Sequence, residues 1–206
     1  MQYMIGVDIG TTSTKAVLYD ENGQYLLKHN IGYDMQTPDV DTSEENPDEI
    51  FDAVLMTIKA VIREGKVGPD DVKLIAFSAQ MHSLIAMGNE QKPLTQSITW
   101  ADNRASRHAE EIRQQHKRTG TPIHPMSPLS KIYWLKDEHP EIYQQATKYI
   151  DIKSYVLYQL YGRYVMDHSI ASATGMMDLE TLTWDIPALD LLGITPEQLP
   201  ELVPTR

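Results

Sequence analysis

Cysteine does not occur in the 206 residues. That removes disulfide frameworks, thiolate metal sites and thiol redox chemistry together, and it suits a reducing compartment. Basic side chains are the minority charge, 18 Lys and Arg against 29 Asp and Glu, for a formal net charge of -11. Such a balance argues against nucleic acid as a partner, and it leaves any anionic ligand to be captured by local donors rather than by the global field. No apolar run is long enough to span a bilayer, and Met1-Gln2-Tyr3 lacks the charged start of a secretory signal. No membrane contact is expected, and the chain reads as cytoplasmic. The seven histidines are scattered, with no His-Glu-x-x-His, no EF-hand loop and no Gly-x-Ser-x-Gly elbow. Zinc hydrolase, calcium sensor and triad hydrolase chemistry are set aside on that ground. A Walker-type Gly-x-x-x-x-Gly-Lys-Ser/Thr loop is missing as well.

What is present begins at the N-terminus. Ile5, Val7 and Ile9 form one β-branched apolar run and Ala16, Val17 and Leu18 another, with Gly10-Thr11-Thr12-Ser13 as the turn between them, so the spacing predicts a hairpin. Gly10 lets a ligand approach the backbone, and the amides and hydroxyls of Thr11, Thr12 and Ser13 can converge on phosphate oxygens. Asp8 stands where a hydrated Mg²⁺ would bridge protein and phosphate, and Lys15 is placed to add a point charge. The competing reading is a tight hairpin in which Asp8 and Thr11 bond only the turn backbone.

Further along, a turn at Glu21-Asn22-Gly23 leads to a third strand over 25–29. A long helix follows, capped by Asn46 with Pro47 in its first turn, Glu49 completing a capping-box-like pattern and Gly65 ending it. Residues 72–77 read as a buried central strand whose end delivers Ser78 to His82. The second half predicts helices over 104–117, 127–136, 141–147 and 154–161, with a short strand near 149–152 and breaks at Thr119-Gly120-Thr121-Pro122, His139-Pro140 and Gly162. The first of these helices reads as charged and exposed. Tyr155, Tyr158 and Tyr161 form a stripe that reads as packing, and Met176-Met177 as core. Length allows one domain with a full core, or one domain with a subsidiary lobe.

The segment from Asp8 to Lys15 resembles the first phosphate motif of the actin/hexokinase superfamily, and specifically of the FGGY carbohydrate kinases. Ser78-Ala79-Gln80-Met81-His82-Ser83, then Ile98-Thr99-Trp100-Ala101-Asp102-Asn103-Arg104, then the stretch from Pro125 to Trp134 with Lys131, agree with that family in order. Xylulose kinases carry a similar Gln-Met-His, whereas glycerol kinases place Arg-Glu where Met81-His82 stands. The segment from Arg118 to Lys131, with Thr174-Gly175-Met176-Met177, looks most like the gluconate kinase branch. The resemblance covers essentially the whole chain. It implies an α/β, actin-like ATPase (ribonuclease H-like) domain, with a mixed sheet that starts as an antiparallel hairpin and is flanked by helices. It also implies ATP and Mg²⁺ as cofactors, and transfer of the γ-phosphate to a sugar or sugar acid, D-gluconate first and xylulose or another ketose next. A non-catalytic actin-like binding or regulatory module is the alternative from another class.

On the resemblance, Asp8, Gly10, Thr11, Thr12, Ser13 and Lys15 meet the nucleotide phosphates, with Asp8 toward the metal. Gln80, Met81, His82, Trp100, Asp102, Arg104 and Met126 meet the sugar. Each has a plainer reading: His82 as a satisfied structural imidazole, Gln80 bonded to adjacent backbone, Asp102 as a helix cap with Arg104 in a surface ion pair. For a substrate carboxylate Arg104 offers a bidentate fork, with His82 or Lys131 as substitutes. In this family the general-base aspartate opens a second domain, beyond the segment matched here. Residues 1–206 are therefore expected to be an N-terminal sugar-binding domain, truncated near its C-terminal end, with no catalytic base among Asp167, Asp178, Asp185 and Asp190. Its partners are expected to be the small-molecule substrate and its own C-terminal domain, with a homodimer left open.

Overall fold

The computed structural model describes residues 2–115 and 121–205, which form two compact units. His116 and Lys117 of the expected helix, Arg118, and the Thr119-Gly120 portion of the expected break lie outside the described residues. The first unit comprises residues 1–35 and 46–80, and the second residues 36–45 and 81–206.

In the first unit, β1 (Tyr3–Ile9) and β2 (Ser13–Asp20) pair antiparallel, β2 pairs antiparallel with β3 (Tyr25–Gly32), and β5 (Val72–Ala79) lies parallel to β1. The sheet order is β3-β2-β1-β5. Strand alternation sends Ile5, Val7 and Ile9 to one face, where they are buried, and leaves Asp8 exposed on the other. Helix α1 (Pro47–Glu64) packs on the sheet through Ile50, Ala53, Val54, Thr57, Ala60 and Val61. Its N-terminus is capped by Asn46, whose side chain accepts from the Asp48 amide at 2.9 Å, with Asp48 and Glu49 set against the positive end of the helix dipole. Gly65 ends α1, although not by adopting a left-handed conformation: its φ is -72°, and the positive φ falls on Lys66. A glycine is required there for space, because a Cβ would lie 2.5 Å from Leu18 Cδ2.

The expectation of a buried central strand over 72–77 is corrected. Among the described residues β5 is the edge of its sheet, and Leu74 is 54% exposed. An apolar run reports that a strand can be covered on both faces, not that its own chain supplies the cover.

The second unit is built from short pairings and helices. Strand β4 (Glu44–Glu45) pairs with β7 (Ser97–Ile98), and β6 (Ile85–Met87) with β8 (Lys148–Ile150). Strands β9 (Val165–Asp167) and β12 (Glu201–Val203) pair parallel, and β10 (Met177–Asp178) and β11 (Thr183–Trp184) antiparallel. The helices are α2 (Ser106–Gln115), α3 (Pro128–Glu138), α4 (Pro140–Gln145), α5 (Ile152–Tyr161), α6 (His168–Ala171) and α7 (Ile186–Leu192). One core joins Leu84, Ile98, Leu129, Ile132, Tyr149 and Leu189, and the Met176-Met177 pair belongs to it as expected.

Helix α2 differs from its expectation. It starts at Ser106, because the Asp102 carboxylate accepts from the Arg104 amide and holds a turn ahead of it. It is not wholly exposed either, since Ala105, His108, Ala109 and Ile112 are buried. The tyrosine stripe divides: Tyr155 is buried, Tyr158 stacks on Tyr164 with ring centroids 4.1 Å apart, and Tyr161 is exposed.

Candidate functional site

The first unit carries the phosphate-motif residues. Asp8 sits near the end of β1, in register with Lys15 of β2 on one side and Ser78 of β5 on the other. The Ser78 hydroxyl donates to Asp8 Oδ1 at 2.6 Å, while Oδ2 has no hydrogen-bond partner among the described residues. Beside this carboxylate lies a groove of about 320 Å³ lined by Gly6, Asp8, Val17, Tyr19, Ala76 and Ser78, among others. The turn is tightly braced. The Gly10 amide donates to the Ser13 carbonyl at 3.0 Å, so it closes the turn instead of serving a ligand. Tyr33 donates its hydroxyl to the Gly10 carbonyl at 2.5 Å and its amide to the Thr12 carbonyl at 3.2 Å. Thr12 is exposed at the tip, and Ser13 and Lys15 are half-buried.

Gln80 belongs to this unit. Its amide donates to the Ile9 carbonyl at 2.8 Å, and its side-chain oxygen accepts from the Thr11 hydroxyl at 3.2 Å. The structure therefore joins Gln80 to the hairpin turn.

The second unit holds the remaining candidates. His82 adopts a left-handed backbone, φ 67°, which is costly for a residue with a Cβ. Its Nδ1 is buried without a hydrogen-bond partner among the described residues. Burial first, and then the nearby Lys131 charge, lower its pKa despite a backbone hydrogen bond with Ala173, so the ring is neutral at pH 7. Met81, the neighbour of His82 in the chain, and Trp100 are 38% and 48% exposed. Met126 is half-buried, and its amide donates to His124 Nδ1 at 3.2 Å.

Two expected cations are committed elsewhere. Asp102, almost fully buried, accepts from the Ser43 amide at 3.0 Å and from Arg104 Nε at 2.9 Å. Arg104 Nη2 also pairs with Glu44, and the guanidinium lies 4.5 Å from the Trp134 ring centroid. Burial works against this charge, but the Asp102 and Glu44 carboxylates more than offset it and hold its pKa above the ordinary range. Arg104 Nε and Nη2 thus serve two protein carboxylates, while Nη1 has no hydrogen-bond partner among the described residues. Lys131 is fully buried, and its Nζ donates to the carbonyls of His82 at 2.6 Å, Thr99 at 2.7 Å and Ile98 at 3.2 Å. It has no donor left for a ligand.

Sequence reasoning missed Ser78, Tyr33 and Glu44 as members of these clusters. Ser78 stood inside a quoted motif, but only the parallel pairing of β5 with β1 places it beside Asp8. Glu44 has no local signal. Of the aspartates set aside as bases, Asp167 pairs with Lys153 and caps α6, Asp185 caps α7, and Asp178 accepts from the Glu180 amide at 2.8 Å.

The profile of the FGGY family of carbohydrate kinases, N-terminal domain, matches residues 3–206. A gluconokinase of Bacillus licheniformis is 53% identical over 210 residues, covering 98% of this chain and 40% of the relative. The crystal structure of gluconate kinase from Lactobacillus acidophilus superposes with a TM-score of 0.94 at 42% identity, over 98% of this chain and 42% of that one. A ligand-bound xylulose kinase from the same organism gives the same figures. The chain thus spans about two fifths of the length of the relatives it matches. These neighbours carry the actin-like ATPase fold, to which the hairpin-led mixed sheet of the first unit corresponds.

Proposed function

We propose, from the premise that this chain belongs to the FGGY family of carbohydrate kinases as its N-terminal domain, that the protein it serves phosphorylates D-gluconate to 6-phosphogluconate with ATP. The observation that carries this reading is the 53% identity to a gluconokinase along almost the whole chain. On it, the second unit supplies the sugar contacts: the neutral His82 ring and its unpartnered nitrogen, Met81, the half-exposed face of Trp100, and Met126. Gln80 and Asp102 set backbone geometry, and Arg104 acts through Asp102 and Glu44. A substrate carboxylate is then read by Arg104 Nη1, by neutral donors or by the remainder of the polypeptide.

The first unit is the phosphate side. Exposed Asp8 with an uncommitted oxygen, and the hydroxyls of Thr12 and Ser13 in the turn that follows its strand, are hard-oxygen donors of the kind Mg²⁺ and phosphate complexes use, so these residues fit a MgATP complex. Such a metal supplies charge neutralisation on the transferring phosphates. Ser78 holds the Asp8 carboxylate in one orientation, Lys15 adds a positive charge on the same row, and Gly10, Thr11 and Tyr33 keep the turn rigid. The general base lies outside this chain, in a C-terminal domain, and the setting is cytoplasmic.

The xylulose kinase reading rests on one specific observation, the equal likeness of a ligand-bound xylulose kinase. ADP release by the full-length protein against gluconate, xylulose, ribulose, glycerol and a no-sugar control decides between them. Selective turnover of gluconate is expected. Preference for a ketose overturns the substrate and keeps the family.

A further inference from the structure

We propose that Lys131 is a positioning residue of the sugar site, whose buried ammonium ties the backbone of the His82 turn to the backbone of the segment entering Trp100. Three observations converge on it. The side chain comes from α3 and is fully buried, so it contributes nothing to solubility or to a surface ion pair. Its three N–H donors meet three carbonyl acceptors, those of His82, Ile98 and Thr99, which matches an ammonium in number. Finally, the tied segments are the ones that need fixing: His82 is held at φ 67°, and Trp100 follows Thr99 directly while keeping half its surface exposed. A purely apolar core position would not spend a buried charge where Met or Leu packs as well.

Electrostatics supports the geometry. Burial pushes the Lys131 ammonium down to about 7, with Asp102 pulling it up and Arg104 pushing it further down. His82 is the other titratable group facing it, and that ring is already neutral above its own lowered pKa. Loss of the Lys131 proton leaves two hydrogens for three carbonyls. The tie therefore weakens as pH rises through about 7, whereas net stability moves the other way: the unfolded chain holds that proton up to about 10.5, so this group favours the folded state increasingly across the same window.

The inference rests on the reading of His82 and Trp100 as sugar contacts, and its test separates the two. In the full-length protein, with whichever sugar the wild type turns over best, Lys131→Met is expected to raise the sugar KM roughly tenfold or more while the ATP KM stays within about twofold. The wild-type sugar KM is expected to rise between about pH 6.5 and about pH 9, and the variant's to lose that dependence. Hydrogen exchange, which needs no substrate, is expected to show faster exchange at 82–84 and 99–101 in the variant at a temperature where both proteins are folded. An unchanged sugar KM, equal rises in both KM values, or unchanged exchange in both segments overturns the proposal. Should the Met variant not fold, the wild-type pH series decides: a sugar KM that is flat or falls over that range overturns it. Absence of turnover with every sugar would count against the function, and exchange would still decide the role of Lys131.

Discussion

Asp8 is exposed because strand alternation turns it away from the face that buries Val7 and Ile9, and it is oriented because a hydroxyl from the parallel neighbour strand grips one of its oxygens. On the proposed phosphate role, replacing it by Ala should lower kcat of the full-length protein by roughly two to three orders of magnitude while leaving sugar affinity nearly intact. Equal losses in kcat and sugar binding would place Asp8 in the sugar site or the fold instead. Ser78→Ala keeps the carboxylate and frees its rotation, and a smaller loss of roughly tenfold in kcat is expected. A different carboxylate contributes to acid stability. Burial on its own would raise the Asp167 pKa, but hydrogen bonds and charge from Lys153 and Ser169 outweigh it and hold the group at about 2 against an ordinary 3.8. The unfolded chain takes up that proton first, so the stabilisation is complete above the ordinary value and disappears as pH falls toward about 2. Thermal melts of Asp167→Asn should accordingly lose part of the steepness that the wild type shows below about pH 4.

At the scale of elements, α1 is where local signals and structure coincide, and its two ends make opposite demands on substitution. Asn46→Ala removes the acceptor for the Asp48 amide and should cost about 1 kcal/mol in denaturant unfolding. Gly65→Ala would be worth up to about 1 kcal/mol by helix propensity alone, since its φ suits any residue. The new Cβ, however, meets Leu18 Cδ2 at 2.5 Å and the Val61 carbonyl at 2.9 Å, and overpacking of that kind costs about 1–3 kcal/mol. Packing wins, and a lowered midpoint is the expected result. The same contrast explains what the sequence made legible. The β1–β2–β3 meander, the Asn46 cap, the stops at Gly65, His139-Pro140 and Gly162, and the core place of Met176-Met177 are written in spacing and turn chemistry within a few residues. The edge position of β5, the Ser78 grip on Asp8 and the Glu44 partner of Arg104 depend on residues that meet from distant parts of the chain. Lys131 shows the limit most clearly: the resemblance brought it to notice as a cation for a substrate, and only its three carbonyl partners reveal a charge already spent on the protein's own backbone.

For the molecule as a whole, the chain's share of its relatives sets what it can do alone. Phosphoryl transfer needs the acceptor hydroxyl, its base and the phosphate aligned together, with water kept out. The described residues provide candidate phosphate donors around Asp8 and a candidate sugar surface around His82 and Trp100. Asp167, Asp178 and Asp185 are each committed to a cap, a turn or an ion pair, and relatives extend this chain by a further three fifths of their length. We therefore expect the 206-residue chain to release no ADP above the no-sugar control under conditions where the full-length protein turns over gluconate. Joining the stretch by which the relatives exceed this chain should give turnover by supplying alignment and a base, with no change needed in Asp8, His82 or Lys131. Gluconate-dependent ADP release by the isolated chain at a rate near that of the intact protein would mean that a residue of this chain, Asp190 or one of these committed aspartates among the choices, acts as the base.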